Sequence, residues 1–259
     1  MPKITISLIS VNQRHHIELL LPTLAPAAQL ADAEILLVDN RCKDGTSEFV
    51  KQNFPNISVM QNPQKTGYGG NHNLNLARAQ GEYFVIMNSD MVIVQQDGFV
   101  RLEQYMDQHP DVGIVTPKVL SENGNIQGLN KRYPTLADLF LRRFAPVSFR
   151  RLFQQRLDYY EMRDIGYEYT CDVPFLSGAF MFCRTDLLKS LGGFDPAYFL
   201  YFEDVDLCRR VQRTHRTVYF PDVPATHTWE RSAHKKWIYT YYFMKSALRY
   251  FTRWGFRLF

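Results

Sequence analysis

The chain of 259 residues is long enough for one large domain, and its hydrophobic content of 46% and aromatic content of 14% exclude an intrinsically disordered protein. Its four cysteines form no Cys-x-x-Cys pair, so we expect neither a zinc site nor a disulfide framework. Because no run reaches the ~18 apolar residues of a membrane span, and the first residues lack the apolar stretch of a signal peptide, we expect a cytoplasmic protein.

The first 120 residues alternate short β-rich runs with helical patterns. Strands are predicted at 4–11, 34–38, 57–61, 83–88 and 113–117, and helices at 16–30, 44–53, 71–80 and 99–108. This alternation predicts an α/β fold with a mostly parallel, Rossmann-like sheet flanked by helices. Ligands bind such sheets beyond the carboxyl ends of the strands, and Asn12, Asp39 and Asn88-Ser89-Asp90 lie at such ends.

The pattern changes in the second half of the chain. Residues 122–171 read as an inserted helical excursion, and regular structure is predicted to return at 173–183, 185–191 and from the acidic run to residue 212. The tail at 234–259 has an amphipathic helical pattern that mixes basic and aromatic residues. We therefore expect one domain at 1–233, with a nucleotide-binding half at 1–120 and an acceptor and catalytic half at 121–233, followed by the tail helix.

Three carboxylates lie close together, at Glu203, Asp204 and Asp206. In the first turn of a helix the positive end of the dipole favours an ionised carboxylate, which can accept a proton from a hydroxyl nucleophile. The alternative is structural, since these residues would also cap the helix and pair with Arg209 and Arg210. The structural role is favoured for Asp206, whereas the aromatic residues before the run indicate a shaped cleft beside Asp204.

Asp90 ends a buried strand, where a carboxylate can hold Mg²⁺ or Mn²⁺ between two phosphates. An aspartate that merely starts a turn is the alternative. His227 is a candidate to complete such a metal site, but a lone histidine is more often structural or at the surface, so its role depends on the family resemblance below. The glycine run at 67–70 precedes a helix and allows backbone to approach a ligand closely, but it matches neither the dinucleotide nor the P-loop fingerprint.

At these residues the chain resembles bacterial family 2 glycosyltransferases with the GT-A fold, particularly their rhamnosyltransferase-like members. The resemblance covers about residues 4–250 and is most specific at 175–209, in Leu176-Ser177-Gly178-Ala179-Phe180, Gly192-Gly193-Phe194-Asp195 and Tyr201-Phe202-Glu203-Asp204-Val205-Asp206-Leu207. The chain departs from the family pattern at Gln13, Arg14, Lys65 and Asn75, and at Asn88, which cannot supply the first carboxylate of an Asp-x-Asp metal motif.

The resemblance assigns roles to individual residues. It implies a catalytic base at Asp204 and a divalent cation, Mg²⁺ or Mn²⁺, at Asp90 and His227. The nucleotide and donor contacts that it implies are Asn12, Asp39, Lys65, Gly67, Asn88, Ser89 and Asp90. Among these, Asp39 would contact the nucleobase. The acceptor contacts that it implies are Ser177, Gly178, Glu203 and Trp229.

The implied reaction is a single displacement that inverts the anomeric configuration. An acceptor hydroxyl, deprotonated by Asp204, attacks a nucleotide-diphosphate sugar, for which dTDP-rhamnose leads and UDP-sugars follow. The implied acceptor is a saccharide on a polyprenyl diphosphate, used in surface polysaccharide synthesis at the inner face of the bacterial plasma membrane. The tail helix suits a membrane interface, although the same apolar side would also suit packing on the domain.

Two other functions stay open at this point. A sugar-phosphate nucleotidyltransferase would need a glycine-rich basic loop after the first strand, and Val11-Asn12-Gln13-Arg14 contains no glycine. A catalytically inactive, membrane-associated partner of a glycan assembly complex is suggested by the single aspartate of the metal motif. Nucleic acid is not expected as a partner, because the net charge of +4 is modest and no recognised binding module occurs.

Overall fold

The computed structural model describes residues 1–228 and 237–259, and within these ranges it contains nine strands and ten helices. The strands are β1 (Ile4–Ser10), β2 (Ala33–Asp39), β3 (Ser58–Gln61), β4 (Tyr83–Met87), β5 (Met91–Val92), β6 (Val112–Leu120), β7 (Cys171–Asp172), β8 (Phe180–Arg184) and β9 (Arg216–His227). The helices are α1 (Arg14–Leu30), α2 (Thr46–Asn53), α3 (Tyr68–Arg78), α4 (Gly98–Gln108), α5 (Leu136–Arg143), α6 (Val147–Leu152), α7 (Gln154–Tyr160), α8 (Thr185–Ser190), α9 (Glu203–Val211) and α10 (Trp237–Trp254). None of the helices in these two ranges combines the length and apolar character needed to cross a bilayer.

The nine strands of the described chain form one sheet, in the order β3-β2-β1-β4-β8-β6-β9-β5, with β7 beside β9. Pairing is parallel among β1 to β4 and between β6 and β9. It is antiparallel where β8, β5 and β7 join. The α/β prediction is confirmed, and the two predicted halves of the domain share this sheet because β6 pairs with both β8 and β9.

Helices cover both faces of the sheet, which explains why β1 is buried over its whole length. The alternating residues of β4 divide between two hydrophobic cores. Tyr83 and Val85 pack in the core that contains residues of α1 and α4. Phe84 and Ile86 pack in the second core, together with residues of α9 and α10. The period-two burial of one strand thus joins the two helical layers.

The principal strand that the sequence pattern did not predict is β9. It contains Pro221 and Pro224, which argue against a strand inside a sheet because proline lacks an N–H donor. Its pairing with β6 skips from Phe220 to Pro224, and this bulge accommodates the prolines while the strand continues on both sides. The omission matters because β9 ends at His227.

Two predicted segments are shorter in the structure. Of the regular structure predicted at 173–183, only the part from Phe180 onward is a strand, because Phe175 instead exchanges backbone hydrogen bonds with Lys131. Of the tail helix predicted over 234–259, the described part runs from Trp237 to Trp254, so the helix ends before residue 259. The predicted boundary between residues 233 and 234 lies outside the described residues. The excursion is helical as predicted, in α5, α6 and α7.

Candidate active site

The residues predicted to act together lie at the carboxyl edge of the sheet. β1 and β2 end side by side there, with Ser10 and Asp39 as register partners. β4 ends at Met87, opposite Phe180, the first residue of the antiparallel β8. β9 ends at His227. The carboxyl ends of β1, β2, β4 and β9 therefore lie on one side of the molecule.

The short pairing of β5 with β9 brings Asp90 and His227 together. Met91 is the register partner of His227, and Asp90 Oδ1 lies 3.0 Å from His227 Nε2. Burial alone would raise the pKa of Asp90, but the hydrogen bond and charge of His227 lower it below its usual value. The carboxylate is therefore held ionised beside the imidazole.

Gln127 determines which imidazole nitrogen carries the proton. Its Nε2 donates to the backbone oxygen of His227 at 2.9 Å, so its Oε1 is the atom that faces His227 Nδ1, also at 2.9 Å. An amide oxygen only accepts, hence Nδ1 carries the hydrogen. When the imidazole is protonated, Nε2 also carries a hydrogen and donates it to Asp90 Oδ1; in the neutral imidazole, Nε2 instead directs a lone pair at that oxygen. Two facing acceptors are stabilised by a proton or a cation between them.

This pair suits a divalent cation as part of an open site. Carboxylate oxygen is the preferred ligand of Mg²⁺ and Mn²⁺, and imidazole nitrogen is a common second ligand for transition metals. Within residues 1–228 and 237–259, no cluster of three or more His, Cys, Asp or Glu side chains is arranged to hold a metal ion. Asp90 and His227 are the two described side chains that would hold such a cation.

Asn88 and Ser89 form the rest of this loop. The Asn88 Oδ1 lies 3.0 Å from the Tyr68 hydroxyl, and its Nδ2 lies 3.5 Å from His227 Nε2. Ser89 is buried and donates to Gln13 Oε1 at 3.0 Å. The amide of Asn88 thus lies beside the pair of Asp90 and His227, while Ser89 links the loop to Gln13, the residue before α1.

Helix α9 begins directly with the carboxylate pair. The two residues before it, Tyr201 (φ 70°) and Phe202 (φ 67°), have left-handed backbone conformations, which cost non-glycine residues about 1–2 kcal/mol each. Aromatic packing holds this turn, with ring centroids 5.8 Å apart for Tyr201 and Phe243 and 5.3 Å apart for Phe202 and Phe243. The aromatic approach noted in the sequence therefore fixes where the helix and its carboxylates start.

Asp204 has the surroundings of a base. Its Oδ2 accepts the Gly178 N–H at 3.2 Å, and its Oδ1 accepts the Val205 N–H at 2.9 Å. Burial raises its pKa above the usual value, while the charge of Lys131 and the two N–H donors oppose that rise. A carboxylate with a raised pKa is a stronger base toward a hydroxyl proton.

Glu203 differs from its neighbour in being almost completely buried, and its Oε2 has no hydrogen-bond partner among the described residues. Burial, and then the charge of Asp204, raise the pKa of Glu203 well above its usual value. Glu203 therefore keeps its proton when Asp204 is ionised, so the buried pair carries one charge. The acceptor contact predicted for Glu203 stays a prediction.

Tyr68 connects the proposed base, Asp204, with the pair of Asp90 and His227. Its hydroxyl lies 2.6 Å from the backbone oxygen of Gly178 and 3.0 Å from Asn88 Oδ1. Gly178 donates its N–H to Asp204, and Asn88 lies against His227. This contact series sets the spacing between the two chemical groups. The sequence showed Tyr68 only as one residue of a glycine run, with no signal for this role.

Lys131 is a second residue whose role the sequence did not reveal. Its backbone pairs with Phe175, three residues before the Gly178 that contacts Asp204, and its Nζ lies 4.9 Å from the Phe175 ring centroid. Burial and the charge of Arg142 lower the pKa of Lys131 to about 8, and the charge of Asp204 opposes this. A partly buried cation thus acts electrostatically on the base.

Asn12 and Asp39 organise one loop at the ends of β1 and β2. Asp39 is buried and accepts from the Cys42 N–H at 2.7 Å and from the Ser47 hydroxyl. Asn12 has a left-handed backbone (φ 53°), and its Oδ1 accepts from the Lys43 N–H at 2.7 Å. Both side chains hold the loop in place. Nucleotide contacts for them stay predictions, and Asp39 would have to use remaining lone pairs of oxygens that already serve the loop.

Gly67 is required by packing rather than by an observed ligand. A Cβ at this position would lie 2.0 Å from the backbone oxygen of Phe199, and the Tyr68 N–H donates to that oxygen at 3.0 Å. Lys65 is exposed, with its Nζ 5.7 Å from the Phe199 ring centroid. The donor contacts expected at Gly67 and Lys65 stay predictions.

The remaining predicted acceptor residues have unequal support. A Cβ on Gly178 would lie 3.3 Å from the Tyr68 ring and 3.5 Å from Asp204 Cβ, so this position lies directly against the base. Ser177 is partly exposed beside it. Trp229 lies outside the described residues.

Asp206 has the structural role that the alternative interpretation gave it. It is completely buried, with Oδ2 at 2.8 Å from Arg210 Nε and Oδ1 accepting from Trp254 Nε1 at 2.9 Å. The first bond lies within α9, and the second ties α9 to α10. Arg209 does not pair with it, and instead stacks with its guanidinium carbon 3.9 Å from the Tyr133 ring centroid.

Residues 5–256 match the sequence model described as glycosyltransferase-like family 2. An N-acetylglucosaminyl-diphospho-decaprenol L-rhamnosyltransferase of Mycobacterium tuberculosis is 28% identical over 235 residues, which cover 82% of this chain and 71% of that protein. The rhamnosyltransferase WbbL of Escherichia coli K12 is 24% identical over 199 residues, which cover 72% of this chain and 70% of that protein.

Two solved structures are similar over nearly the whole chain. The mannosyltransferase PcManGT of Pyrobaculum calidifontis, in complex with GDP-Man and Mn²⁺, gives a TM-score of 0.64 at 19% identity. S. aureus TarS 1-349, in complex with UDP-GlcNAc, gives 0.65 at 19% identity. Each alignment covers 96% of this chain, which spans 64% and 66% of the two solved chains respectively. At these identities the likeness concerns the fold, and it confirms the predicted GT-A arrangement.

Proposed function

The chain belongs to glycosyltransferase-like family 2, and from this premise we propose that it is an inverting glycosyltransferase that uses a nucleotide-activated sugar. The observation that carries the proposal is the contact series from Asp204 through Tyr68 and Asn88 to the pair of His227 and Asp90. It supports a catalytic base at Asp204 and a diphosphate-binding site at Asp90 and His227, held at a fixed spacing on one edge of the sheet. These are the two groups that a single displacement of a nucleoside diphosphate requires.

In the proposed reaction Asp204 accepts the proton of an acceptor hydroxyl. The hydroxyl oxygen forms a bond to the anomeric carbon from the face opposite the nucleotide, and the bond to the diphosphate breaks with its electron pair leaving on the diphosphate. A divalent cation at Asp90 and His227, when bound, would neutralise the charge of the leaving group. Glu203 keeps its proton and so adds no second negative charge beside the base. One displacement inverts the anomeric configuration.

The donor would lie along the ends of β1, β2 and β4. We assign nucleotide and sugar contacts to residues of the three loops that follow these strands, and to the segment before α3. They are Asn12, Asp39, Lys65, Gly67, Asn88, Ser89 and Asp90. Support comes from their convergence at the carboxyl edge, where ligands of doubly wound sheets bind. Acceptor contacts are assigned to Ser177, Gly178, Glu203 and Trp229.

The substrates are proposed from the similar proteins and from the resemblance. dTDP-rhamnose is the first candidate donor, because two relatives are named as rhamnosyltransferases, and UDP-sugars are the second. The proposed acceptor is a saccharide on a polyprenyl diphosphate, because one relative is named for an N-acetylglucosaminyl-diphospho-decaprenol acceptor. The setting would be surface polysaccharide synthesis at the cytoplasmic face of a bacterial plasma membrane.

We also propose that α10 contacts that membrane as a separate, basic-aromatic tail. Trp237, Tyr241, Met244 and Leu248 recur at helical spacing and are 53–89% exposed. The opposite side of the helix packs on the domain, where Tyr250 lies in the second core. The two interpretations of the tail that the sequence left open thus find support on different faces of one helix.

The experiment that tests the proposal is a transfer assay with defined substrates. Purified protein, Mn²⁺ and N-acetylglucosamine diphosphate on a short prenyl chain are incubated in parallel with dTDP-rhamnose, UDP-glucose or UDP-GlcNAc. We expect release of the nucleoside diphosphate with one donor, and a product whose anomeric configuration in proton NMR is opposite to that of the donor. A product with retained configuration would refute the single displacement. Absence of transfer from every donor would favour the inactive partner.

A further inference from the structure

Exposed large apolar side chains are concentrated in two segments of the described chain. Of those in residues 1–228 and 237–259, ten lie at 136–169 and eight at 237–259, whereas the rest of the described chain has five. Single exposed apolar residues need no explanation, but a contiguous concentration marks a binding surface. The first of these segments is the excursion, to which neither the sequence nor the proposed reaction assigns a role.

The two segments are neighbours in the fold. At one end of α5 the Leu136 N–H donates to the backbone oxygen of Arg257 at 2.9 Å. At the other end Arg143 Nη2 donates to Thr240 Oγ1 at 3.0 Å. Thus α5 lies antiparallel beside α10 and the residues that follow it. The guanidinium of Arg156 also lies 5.4 Å from the ring centroid of Phe259.

The exposed residues of α5 border this contact. Leu136, Phe140 and Phe144 recur every four residues and are 37–54% exposed, so they share one face of the helix. Arg143, which contacts α10, lies three residues after Phe140 and therefore next to this face. The exposed face of α10 borders the same contact, since Trp237 and Met244 lie three residues before and four residues after Thr240. The apolar faces of the two helices are consequently parts of one surface.

Helix α6 extends this surface away from the core. It contains Val147, Phe149 and Leu152, yet none of its residues is buried. Leu152 is 77% exposed. Core packing therefore does not account for the apolar character of this helix, and burial of these side chains requires a partner.

Cations accompany the apolar residues. Arg150 donates its Nε to the backbone oxygen of Ala145 at 2.8 Å rather than to a carboxylate, and Arg151 is exposed. Lys245 is exposed on α10. Apolar side chains flanked by cations are the chemistry that an anionic lipid bilayer recognises. A second copy of the chain would instead bring like charges together across a symmetric interface.

We propose that residues 136–153 and the exposed face of α10 form one surface that docks on an anionic lipid bilayer. The excursion is then the second membrane contact, and two contacts hold a peripheral protein in one orientation where a single helix would not. This deepens the proposed function, since it gives an acceptor carried in the bilayer a fixed direction of approach to Asp204.

Vesicle co-sedimentation tests the surface directly. The probe is vesicles of equal parts phosphatidylglycerol and phosphatidylcholine, and the variant is the triple substitution Val147→Ser, Phe149→Ser, Leu152→Ser. We expect its affinity for vesicles to fall on the order of 100-fold. The matched control replaces three exposed apolar residues elsewhere, Leu19→Ser, Leu30→Ser and Val94→Ser, and should bind as the wild type does. Thermal unfolding of the triple variant should change little, because none of the three side chains lies in a hydrophobic core.

A charge variant and an activity control complete the test. Arg150→Gln with Arg151→Gln should lower affinity for the anionic vesicles about 30-fold and leave binding to pure phosphatidylcholine unchanged. Transfer to a short-chain, water-soluble acceptor should be the same in all variants, so a failure of the proposed chemistry would be seen there and not in sedimentation. Equal sedimentation of every variant would overturn the proposal that this surface binds the bilayer. So would light scattering that shows a wild-type dimer separated by the triple substitution.

A separate observation concerns Gln127. We infer that it is a positioning residue, which fixes His227 as the Nδ1–H tautomer and directs Nε2 at Asp90. This inference rests on the proposed metal site at Asp90 and His227. Gln127 is itself held, because its N–H donates to the backbone oxygen of Val119 in β6 at 2.9 Å. Hydrogen-bond partners of metal-ligating histidines orient the ring and raise its basicity.

Two substitutions separate positioning from a structural role. Gln127→Leu removes the acceptor of Nδ1–H and should weaken Mn²⁺ binding about 10- to 100-fold, whereas Gln127→Glu keeps an acceptor and should bind Mn²⁺ at least as well as the wild type. Nitrogen-15 spectra of the metal-free protein, at a pH where the imidazole is neutral, should show Nδ1–H for His227 in the wild type and in Gln127→Glu. An Nε2–H tautomer in the wild type would overturn the assignment even if no metal binds.

Discussion

Residues 1–120 and residues 121–259 share one sheet but differ in what their surfaces offer. The first part supplies the parallel strands β1 to β4 with their polar loops, and it exposes five large apolar side chains. The described residues of the second part supply the base and expose eighteen. A water-soluble donor and a lipid-linked acceptor would need these two kinds of surface. The comparison implies that nucleotide binding, chemistry and membrane binding can be lost one at a time.

The largest effect that would sharpen this comparison is expected from Asp204→Asn. The substitution removes the base but keeps an oxygen for the Gly178 N–H, so transfer should fall on the order of 10³-fold while nucleotide affinity is unchanged. Initial rates and calorimetric titration on the same sample provide the measurement. Equal loss of rate and of nucleotide affinity would show that the two parts are not separable. Asp222→Asn, at an exposed carboxylate, is the control.

Asp206→Ala should destabilise the folded structure of the second part. It leaves Arg210 buried without its partner and removes the acceptor of the Trp254 N–H, so the free energy of unfolding should fall by about 3 kcal/mol. Urea denaturation measures the change. Below the unfolding transition the nucleotide affinity should stay normal. A stability loss smaller than that of an exposed carboxylate variant would contradict the structural role of Asp206.

Tyr68→Phe addresses the link between the two parts. The hydroxyl contacts both Gly178 and Asn88, so its loss should lower the free energy of unfolding by about 1 kcal/mol. We expect kcat to fall about tenfold, because the spacing between Asp204 and the diphosphate-binding site at Asp90 and His227 is no longer fixed. Tyr159→Phe, at an exposed tyrosine, should change neither quantity. An unaltered kcat would show that Tyr68 does not set this spacing.

The smallest effect is a shift of the pH profile in Lys131→Met. The charge of Lys131 lowers the pKa of Asp204, so removing it raises that pKa further. Asp204 must be ionised to act as a base, hence the acid limb of kcat/KM should move to higher pH, by about one unit or less. Lys131→Arg keeps the cation and should leave the limb in place. A shift to lower pH would contradict the stated electrostatics.

The same comparison explains how far sequence reasoning reached. In residues 1–120 every predicted strand and helix is present, because a buried run such as β1, with helices on both sides, determines its own local structure. In the second part β9 was missed, since Pro221 and Pro224 mask a strand that survives through a bulge. The acidic run was found because its residues are adjacent in the chain, and the separate structural role of Asp206 was anticipated from its spacing to Arg210.

The residues that were missed owe their positions to tertiary contacts. Gln127 reaches His227, and Tyr68 reaches Gly178, across about one hundred residues of chain, as 100 and 110 positions separate these pairs. Lys131 is placed by the pairing of its backbone with Phe175, 44 positions further along the chain. None of these contacts leaves a local pattern. Gly67 carried a pattern, but the closest contact that requires the glycine is the backbone of Phe199.

Calorimetric titration with dTDP and UDP, with and without Mn²⁺, tests the central claim most directly. The wild type, Asp90→Ala and the exposed control Asp97→Ala would be compared. We predict Mn²⁺-dependent binding of one nucleotide to the wild type and the control, weakened on the order of 100-fold in Asp90→Ala. The nucleobase of the nucleotide that binds would then narrow the choice of donor. Binding of neither nucleotide under any metal condition, or binding that Asp90→Ala leaves intact, would contradict a diphosphate site at this edge of the sheet.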